Sequence, residues 1–221
     1  MTLELNQLYN MDCLEAMKQF PDKYFELAIV DPPYGIGESF KKRENTKSEK
    51  WKNPNKKIHK TKEWDRKPPP QEYFDELMRV SENQIVWGAN YFIDKIKKPS
   101  MGWVFWDKKN GDSDFSDGEL AFTSFNKGLR KFEWLWKGFQ KEKPEERFHP
   151  TQKPVALYKW LLMNYAKQGD KILDTHVGSA SSLIACYDMG FEYMGFEIDK
   201  DYFEMAQKRI EENKAQVRFE L

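Results

Sequence analysis

Cysteine and histidine are scarce in this chain: Cys13 and Cys186 stand far apart, and three histidines are scattered through 221 residues. Two distant thiols make no disulfide framework and no Cys/His spacing suits zinc, so no metal is expected and a reducing, cytoplasmic setting fits. No apolar run of about eighteen residues occurs, and the start MTLELNQLYN lacks the basic-then-apolar signature of a signal peptide, so no membrane association is expected. Net charge is lacking too, with 36 Lys and Arg against 36 Asp and Glu. A uniformly basic nucleic-acid binder is therefore not indicated, and charge has to be read locally.

What is present alternates. KILD (171–174) reads as a buried strand, SLIACYDM (182–189) as a helix stopped by Gly190, and YMGFEI as a second strand. Asp199 is then a plausible N-cap for a long amphipathic helix with Phe203, Ala206 and Ile210 on one face. Nearer the amino terminus, CLEAMKQF reads as a helix and FELAIV (25–30) as a buried strand delivering Asp31. QEYFDELMRVSEN is helical in period, QIVWG extended, YFIDKIKK a short helix and GWVFW (102–106) another strand. ELAFTSF (119–125) and KFEWLWKG (131–138), joined by NKGLR, read as an antiparallel hairpin. The expected fold is a single α/β domain over 1–221, with a doubly wound, mostly parallel, seven-stranded sheet and that hairpin at its edge.

One stretch breaks the alternation. Residues 38–70 hold twelve Lys or Arg against five Asp or Glu, a local charge of +7 that leaves −7 for the rest of the chain. The plain reading of such a run is a solvated excursion. The sharper reading makes 36–70 an inserted loop that clamps nucleic acid. Lys41, Lys42, Arg43, Lys47, Lys50, Lys52, Lys56, Lys57, Lys60 and Lys62 would then neutralise phosphates while Trp51 and Trp64 pack or stack on bases.

Ligands of open α/β sheets bind beyond the carboxyl ends of the strands, where Asp174 and Glu197 both fall. Gly178 lets backbone approach a ligand, the small residues Ser179, Ala180 and Ser181 keep the entrance open, and an acid at the position of Glu197 can accept both hydroxyls of a ribose. An adenosine-containing cofactor follows, with Ile198 assigned to the same site. NAD fits poorly, because its G-x-G-x-x-G turn has three glycines where HVGSASS has one. Thr151 and Lys153 stand near the start of a helix expected after Pro150; a helix N-terminus with an ammonium suits a cofactor carboxylate, and a capped helix with a solvated lysine is the alternative.

The run AIVDPPYGIG (28–37) asks for chemistry of its own. The lone pair of an exocyclic base amine is delocalised into the ring, and acceptors aimed at its N–H groups would localise it on nitrogen. The Asp31 carboxylate can be one acceptor and the Pro32 carbonyl, stiffened by Pro33, the other, while Tyr34 can stack on a flipped-out base. Gly35 and Gly37 would give a flexible exit into the basic stretch.

Asp31-Pro32-Pro33-Tyr34 resembles the (D/N/S)PP(Y/F/W) motif of the amino-methyltransferases. FHPTQKPVALYKWLL resembles that family's motif X, ILDTHVGSASS its motif I and YMGFEIDKDYFEMAQKRI its motif II region. The leader YNMDCLEAMKQFPDKYFELAIVDPPY is also similar, with Asp12 and Cys13 where the cofactor adenine is met. The catalytic motif precedes the cofactor motifs, an order that resembles the permuted β-class DNA adenine-N6 and cytosine-N4 enzymes of bacteria and phages. The resemblance implies S-adenosylmethionine as cofactor, S-adenosylhomocysteine as product, double-stranded DNA as partner and, as in many β-class enzymes, room for a homodimer. Asp rather than Ser before the prolines favours adenine N6 over cytosine N4; a dinucleotide-dependent oxidoreductase is the more distant alternative. Two departures stand out: His176 replaces the usual motif I phenylalanine, and Ala180 its second glycine.

Overall fold

A computed structural model of the chain describes residues 3–36, 67–111, 116–137, 140–141 and 152–216. The ten cations from Lys41 to Lys62, Trp51, Trp64, Gly37, His149 and Thr151 lie outside the described residues.

The chain runs β1 (Gln7–Tyr9), α1 (Cys13–Met17), β2 (Phe25–Val30), α2 (Gln71–Val80), β3 (Ser81–Trp87), β4 (Trp103–Asp107), β5 (Gly118–Thr123) and β6 (Arg130–Glu133). After a small two-stranded piece, β7 (Trp136–Lys137) with β8 (Gln140–Lys141), follow α3 (Val155–Tyr165), β9 (Lys171–Asp174), α4 (Ser181–Met189), β10 (Glu192–Phe196) and α5 (Lys200–Ala215). The main sheet has eight strands in the order β1-β10-β9-β2-β3-β5-β4-β6. All its pairings are parallel except those of β5, which runs antiparallel to both β3 and β4.

Strands buried on both faces need near-continuous apolar runs, and FELAIV is one. Its period-two alternation divides it between two cores. Leu27 and Ile29 face a cluster with Leu157, Leu161, Leu183 and Ile210 from α3, α4 and α5, while Ala28 and Val30 face Met17, Tyr73, Phe74 and Leu77 from α1 and α2. The sheet is thus a layer between helices, and its outward-facing chemistry is confined to its edges and ends. Among the described residues no helix is long and apolar enough to cross a membrane.

The α/β class and mostly parallel sheet stand as read from the sequence, with four local differences. The hairpin of 119–125 with 131–138 does not form: β4 lies between β5 and β6, pairing antiparallel with one and parallel with the other, and the main sheet has eight strands rather than seven because β1 adds to it beside β10. α2 ends at Val80 because buried Ser81 returns both its N–H and its hydroxyl to the Leu77 carbonyl, and the following SEN joins β3. YFIDKIKK is no helix; only a 3-10 turn, Ala89–Tyr91, forms there, and unlike α1, whose start Asp12 caps, it begins at Gly88 with no side-chain cap. α3 starts at Val155 with Pro154 as N-cap, not directly after Pro150, because the residue before a proline is driven out of helical backbone.

Gly118 opens β5 where a side chain has no room. A Cβ there would sit 2.3 Å from both the Trp106 carbonyl oxygen and the Phe105 ring. Gly118→Ala must push β5 away from β4, and overpacking of this kind costs roughly 1–3 kcal/mol. The melting midpoint should therefore fall by roughly 3–10 °C, checked by thermal unfolding followed by circular dichroism.

Candidate active site at the carboxyl edge of the sheet

β9 and β2 are adjacent parallel strands, with Ala28 opposite Leu173. From β9 the chain moves one way across the sheet to β10, and from β2 it moves the other way to β3. Such a divergence leaves a crevice at the carboxyl ends, the usual ligand site of open α/β sheets. Asp174, the last residue of β9, and Asp31, the first after β2, therefore stand side by side there. Glu197 follows β10, Asp12 lies beyond β1, and Gly88 follows β3 on the same edge. β5 is reversed, so its beginning, not its end, reaches this edge: Gly118 is opposite Asp107 and Glu119 opposite Trp106.

On the β2 side, the Tyr34 hydroxyl donates to Asp31 Oδ1 at 2.6 Å and lies 3.4 Å from Glu119 Oε2. The Tyr34 ring lies across Gly88, where a Cβ would be 2.1 Å from Tyr34 Cε1, and stacks on Tyr91 at 5.0 Å and 15°. Gly88 has φ +67, so both its backbone and the neighbouring ring demand glycine. Pro32 is buried and Pro33 half-buried. Gly35 is no flexible exit: it has φ +75, and a Cβ there would meet Pro68 Cδ at 2.5 Å. The two ends of the basic stretch thus meet beside Tyr34.

Lys153 does not lie along the start of α3. Its ammonium is buried beside the Asp31-to-Tyr34 turn, 2.5 Å from Asp31 Oδ2, 3.0 Å from Glu119 Oε2 and 3.2 Å from the Tyr34 hydroxyl. Glu119 also pairs with Lys108 at 2.6 Å. Burial works to raise Glu119, but the Lys153 and Lys108 ammoniums outweigh it and hold its carboxyl at about 2. Asp31, with Lys153 as its cation, stays above the ordinary aspartate value because burial and then the Glu119 charge exceed the pull of that ammonium. Burial disfavours the charged form of Lys153, yet Asp31 and Glu119 keep its pKa above that of an ordinary lysine. Sequence alone makes Glu119 scaffold; the only signal for its role is an acid at the head of an otherwise apolar strand.

On the β9 side, the Asp174 carboxylate accepts from the Ser182 hydroxyl and from the His176 N–H at 3.0 Å, fixing the loop between β9 and α4. Glu197 accepts the Gly178 N–H at 2.9 Å on one oxygen and the Asp199 N–H at 2.8 Å on the other. Both oxygens are thereby fixed in orientation at the carboxyl end of β10. Gly178 and Ala180 both have positive φ, +54 and +64, and Ala180 holds a left-handed conformation that the more usual glycine would adopt without strain. Ser179 is buried, its carbonyl held by Arg209. Asp12 caps α1, accepting from the Leu14 N–H at 2.7 Å, and Ile198 leaves 64% of its surface bare beside Glu197. A rigid carboxylate, a glycine-bearing loop that is half-exposed at Gly178 and exposed apolar surface at one strand end fit an adenosyl group.

His176 keeps the flat ring of the residue it replaces, set edge-on to Tyr73 at 5.3 Å, and adds polar links. Its Nδ1 is 2.9 Å from the Thr175 hydroxyl, itself 2.7 Å from the Tyr73 hydroxyl, and its Nε2 is 4.0 Å from Cys13 Sγ. Burial pushes the imidazole down to about 4, while burial and then Asp12 push the Cys13 thiol up to about 12. Both are neutral near pH 7, so this pair is packing, not a nucleophile with its base.

Asp174 is pushed up to about 7, first by burial, against the hydrogen bonds that favour its charge. A raised carboxyl pKa means the folded chain keeps a proton that the unfolded chain releases, so stability from this group falls as pH rises from about 4 to about 7. Asp174→Asn removes that cost. It should raise the melting midpoint by a few degrees at pH 8 and leave it nearly unchanged at pH 4, a difference thermal scans at the two pH values would read.

The DNA methylase family model matches residues 56–208, beginning after Asp31-Pro32-Pro33-Tyr34 and taking in the whole β9 to β10 unit. Two relatives span most of the chain. The type II methyltransferase M.HpaI of Haemophilus parainfluenzae is 26% identical over 237 residues, covering 90% of this chain and 72% of that protein. The putative methylase YubD of Escherichia coli (strain K12) is 26% identical over 219 residues, covering 90% and 87%. In fold, the chain resembles the crystal structure of the M1.HpyAVI-SAM complex with a TM-score of 0.61 at 20% identity, over 92% of this chain and 98% of that one. It also resembles the cytosine-N4-specific PvuII DNA methyltransferase with a TM-score of 0.57 at 12% identity, over 96% and 92%. The dinucleotide-oxidoreductase reading is thereby set aside. The chain belongs to the DNA methylase family, the N6/N4 amino-methyltransferases whose methyl donor is S-adenosylmethionine.

Proposed function

We propose that this chain methylates the N6 amine of adenine in double-stranded DNA, in the cytoplasm, on a base flipped into the crevice between β2 and β9. The observation that carries the reading is the placement of Asp31 and Tyr34 beside Asp174 and Glu197 across that crevice. Asp31 supplies a carboxylate acceptor and Pro32 a backbone carbonyl for the two amine N–H groups. Tyr34, fixed by Asp31, Gly88 and Tyr91, supplies an aromatic wall for the base.

Glu197 would hold the ribose of S-adenosylmethionine, Ile198, Asp12 and Cys13 would border its adenine, and Gly178, Ser179, Asp174 and His176 would line the loop it lies on. Thr151 remains assigned to the cofactor carboxylate. Lys153, assigned there on sequence grounds, has its ammonium on Asp31 and Glu119 instead, and the cofactor carboxylate is not given to it here. The bound cofactor supplies a methyl group on a sulfonium, open to in-line attack. Asp31 then performs both remaining tasks of the protein: it localises the amine lone pair and takes the proton that the nitrogen sheds once methylated.

Adenine is favoured because an aspartate, not a serine, precedes the two prolines. Cytosine N4 is the second reading, supported by the likeness in fold to a cytosine-N4-specific enzyme. The cations between Lys41 and Lys62 are assigned to DNA phosphates, and a homodimer is compatible with this assignment.

Two outcomes are expected. Asp31→Ala should lower methyl transfer to background while calorimetry still detects S-adenosylmethionine binding, and nucleoside analysis of DNA treated with the intact protein should yield N6-methyladenine; N4-methylcytosine would assign the second reading, and full activity in Asp31→Ala would remove the mechanism. Replacing Lys41, Lys42, Lys56 and Lys57 by Gln should reduce the slope of log affinity against log salt by about 0.9 for each phosphate that is no longer neutralised. An unchanged slope would move the DNA surface elsewhere.

A further inference from the structure

We propose that Lys153 is the resident occupant of the seat for the target amine, and that Glu119 draws it off when a base arrives. The inference rests on the functional reading above and adds two positioning residues to it. The Lys153 ammonium, 2% exposed, donates to Asp31 Oδ2 at 2.5 Å and lies 5.7 Å from the Tyr34 ring centre and 5.4 Å from that of Trp87. Those are the contacts an exocyclic amine needs: a carboxylate acceptor in the plane and an aromatic wall beside it. An ammonium and an amine are both N–H donors, and they compete for the same acceptor.

The competition has a chemical consequence. With a cation against it, Asp31 is neutralised and cannot polarise an amine or take its proton. Lys153 must therefore leave Asp31 before transfer. It cannot simply lose its counter-charge, because an unpaired ammonium in a buried site is strongly disfavoured. Glu119 provides the way out: its Oε2 is already 3.0 Å from Lys153 Nζ, and Lys108 holds its carboxylate in place from the other side at 2.6 Å. A small turn of the flexible lysine stem exchanges one carboxylate for the other. Asp31 is then free for the amine, while the cation stays paired.

The exchange predicts a reversal that a merely structural role for either residue would not produce. Glu119→Gln strands Lys153 on Asp31. It should lower kcat/KM for unmethylated plasmid DNA by about 10- to 100-fold, chiefly through KM, with S-adenosylmethionine affinity by calorimetry within about twofold of the parent. Adding Lys153→Met removes the stranded cation, so the double variant should be at least about fivefold more active than Glu119→Gln alone. A double variant no better than the single one overturns the exchange. Should Glu119→Gln fail to fold by thermal midpoint, the decisive arm is Lys153→Met with methylammonium as probe. The small cation refills the vacated seat and should inhibit competitively with DNA at concentrations that leave the parent untouched; equal inhibition of both overturns the proposal. An intact protein that transfers no methyl group to DNA would instead overturn the functional reading itself.

Discussion

The carboxylate of Asp31 at the junction of β2 and β9 is the constraint around which the edge of this sheet is built. An acid that must accept from an amine has to be shielded from water, yet remain capable of bearing charge. Burial alone would protonate it, and here the Lys153 ammonium opposes burial while Glu119 adds to it. The result is a chain of alternating charges, Lys108, Glu119, Lys153 and Asp31, from the head of β5 to the end of β2. Each of these ions has a partner, which is what allows the fully buried Lys153 ammonium to sit against Tyr34 and Trp87. The strand geometry underwrites this arrangement, because only a reversed β5 brings Glu119 to the same edge as the ends of the parallel strands.

Much of this was readable in the sequence, for physical reasons that differ from residue to residue. FELAIV and KILD declare themselves as buried parallel strands by unbroken apolar runs, and a ligand-facing acid directly after or at the end of such a strand, Asp31 or Asp174, follows from topology alone. Asp199 as N-cap was equally plain, and its side chain accepts from the Tyr202 N–H at 3.1 Å. Glu119 was not singled out, because strand polarity and neighbours are decided by long-range pairing: with β5 and β6 taken as a hairpin, the segment that holds it read mainly as scaffold. The side chain of Lys153 was misplaced for a related reason. Its position shortly after Pro150 suggested a helix start, while its four-carbon stem lets the ammonium reach across to a different element.

The order of the motifs also has a physical explanation in the topology. What the proposed site requires is that β2 and β9 be adjacent and parallel, with the loops assigned to the amine and to the cofactor at their carboxyl ends. Which of them comes first in the chain is immaterial, since each half is a self-sufficient strand-helix-strand unit: β2-α2-β3 on one side, β9-α4-β10 on the other. The departures in motif I are absorbed locally. His176 is kept neutral by burial and hydrogen-bonded to Thr175, and Ala180 carries its left-handed backbone within a fully buried turn.

A site of this kind faces an electrostatic conflict with its substrate. Asp12, Asp31, Glu119, Asp174 and Glu197 gather on one edge, where the proposed function uses them for amine activation and sugar binding, and DNA is a polyanion. Local cations such as Lys108 and Lys153 are consumed in pairing those acids and offer little to phosphates. The sequence meets the conflict by segregation: twelve of its 36 Lys and Arg fall within residues 38–70, while the remainder of the chain carries the opposite balance. The described residues that bracket most of that stretch meet beside Tyr34, where a Cβ at Gly35 would lie 2.5 Å from Pro68 Cδ. In the proposed function, the cations assigned to a nucleic-acid backbone are thus joined in sequence to both sides of the ring assigned to its base, rather than drawn from the residues that pair Asp31 and Glu119.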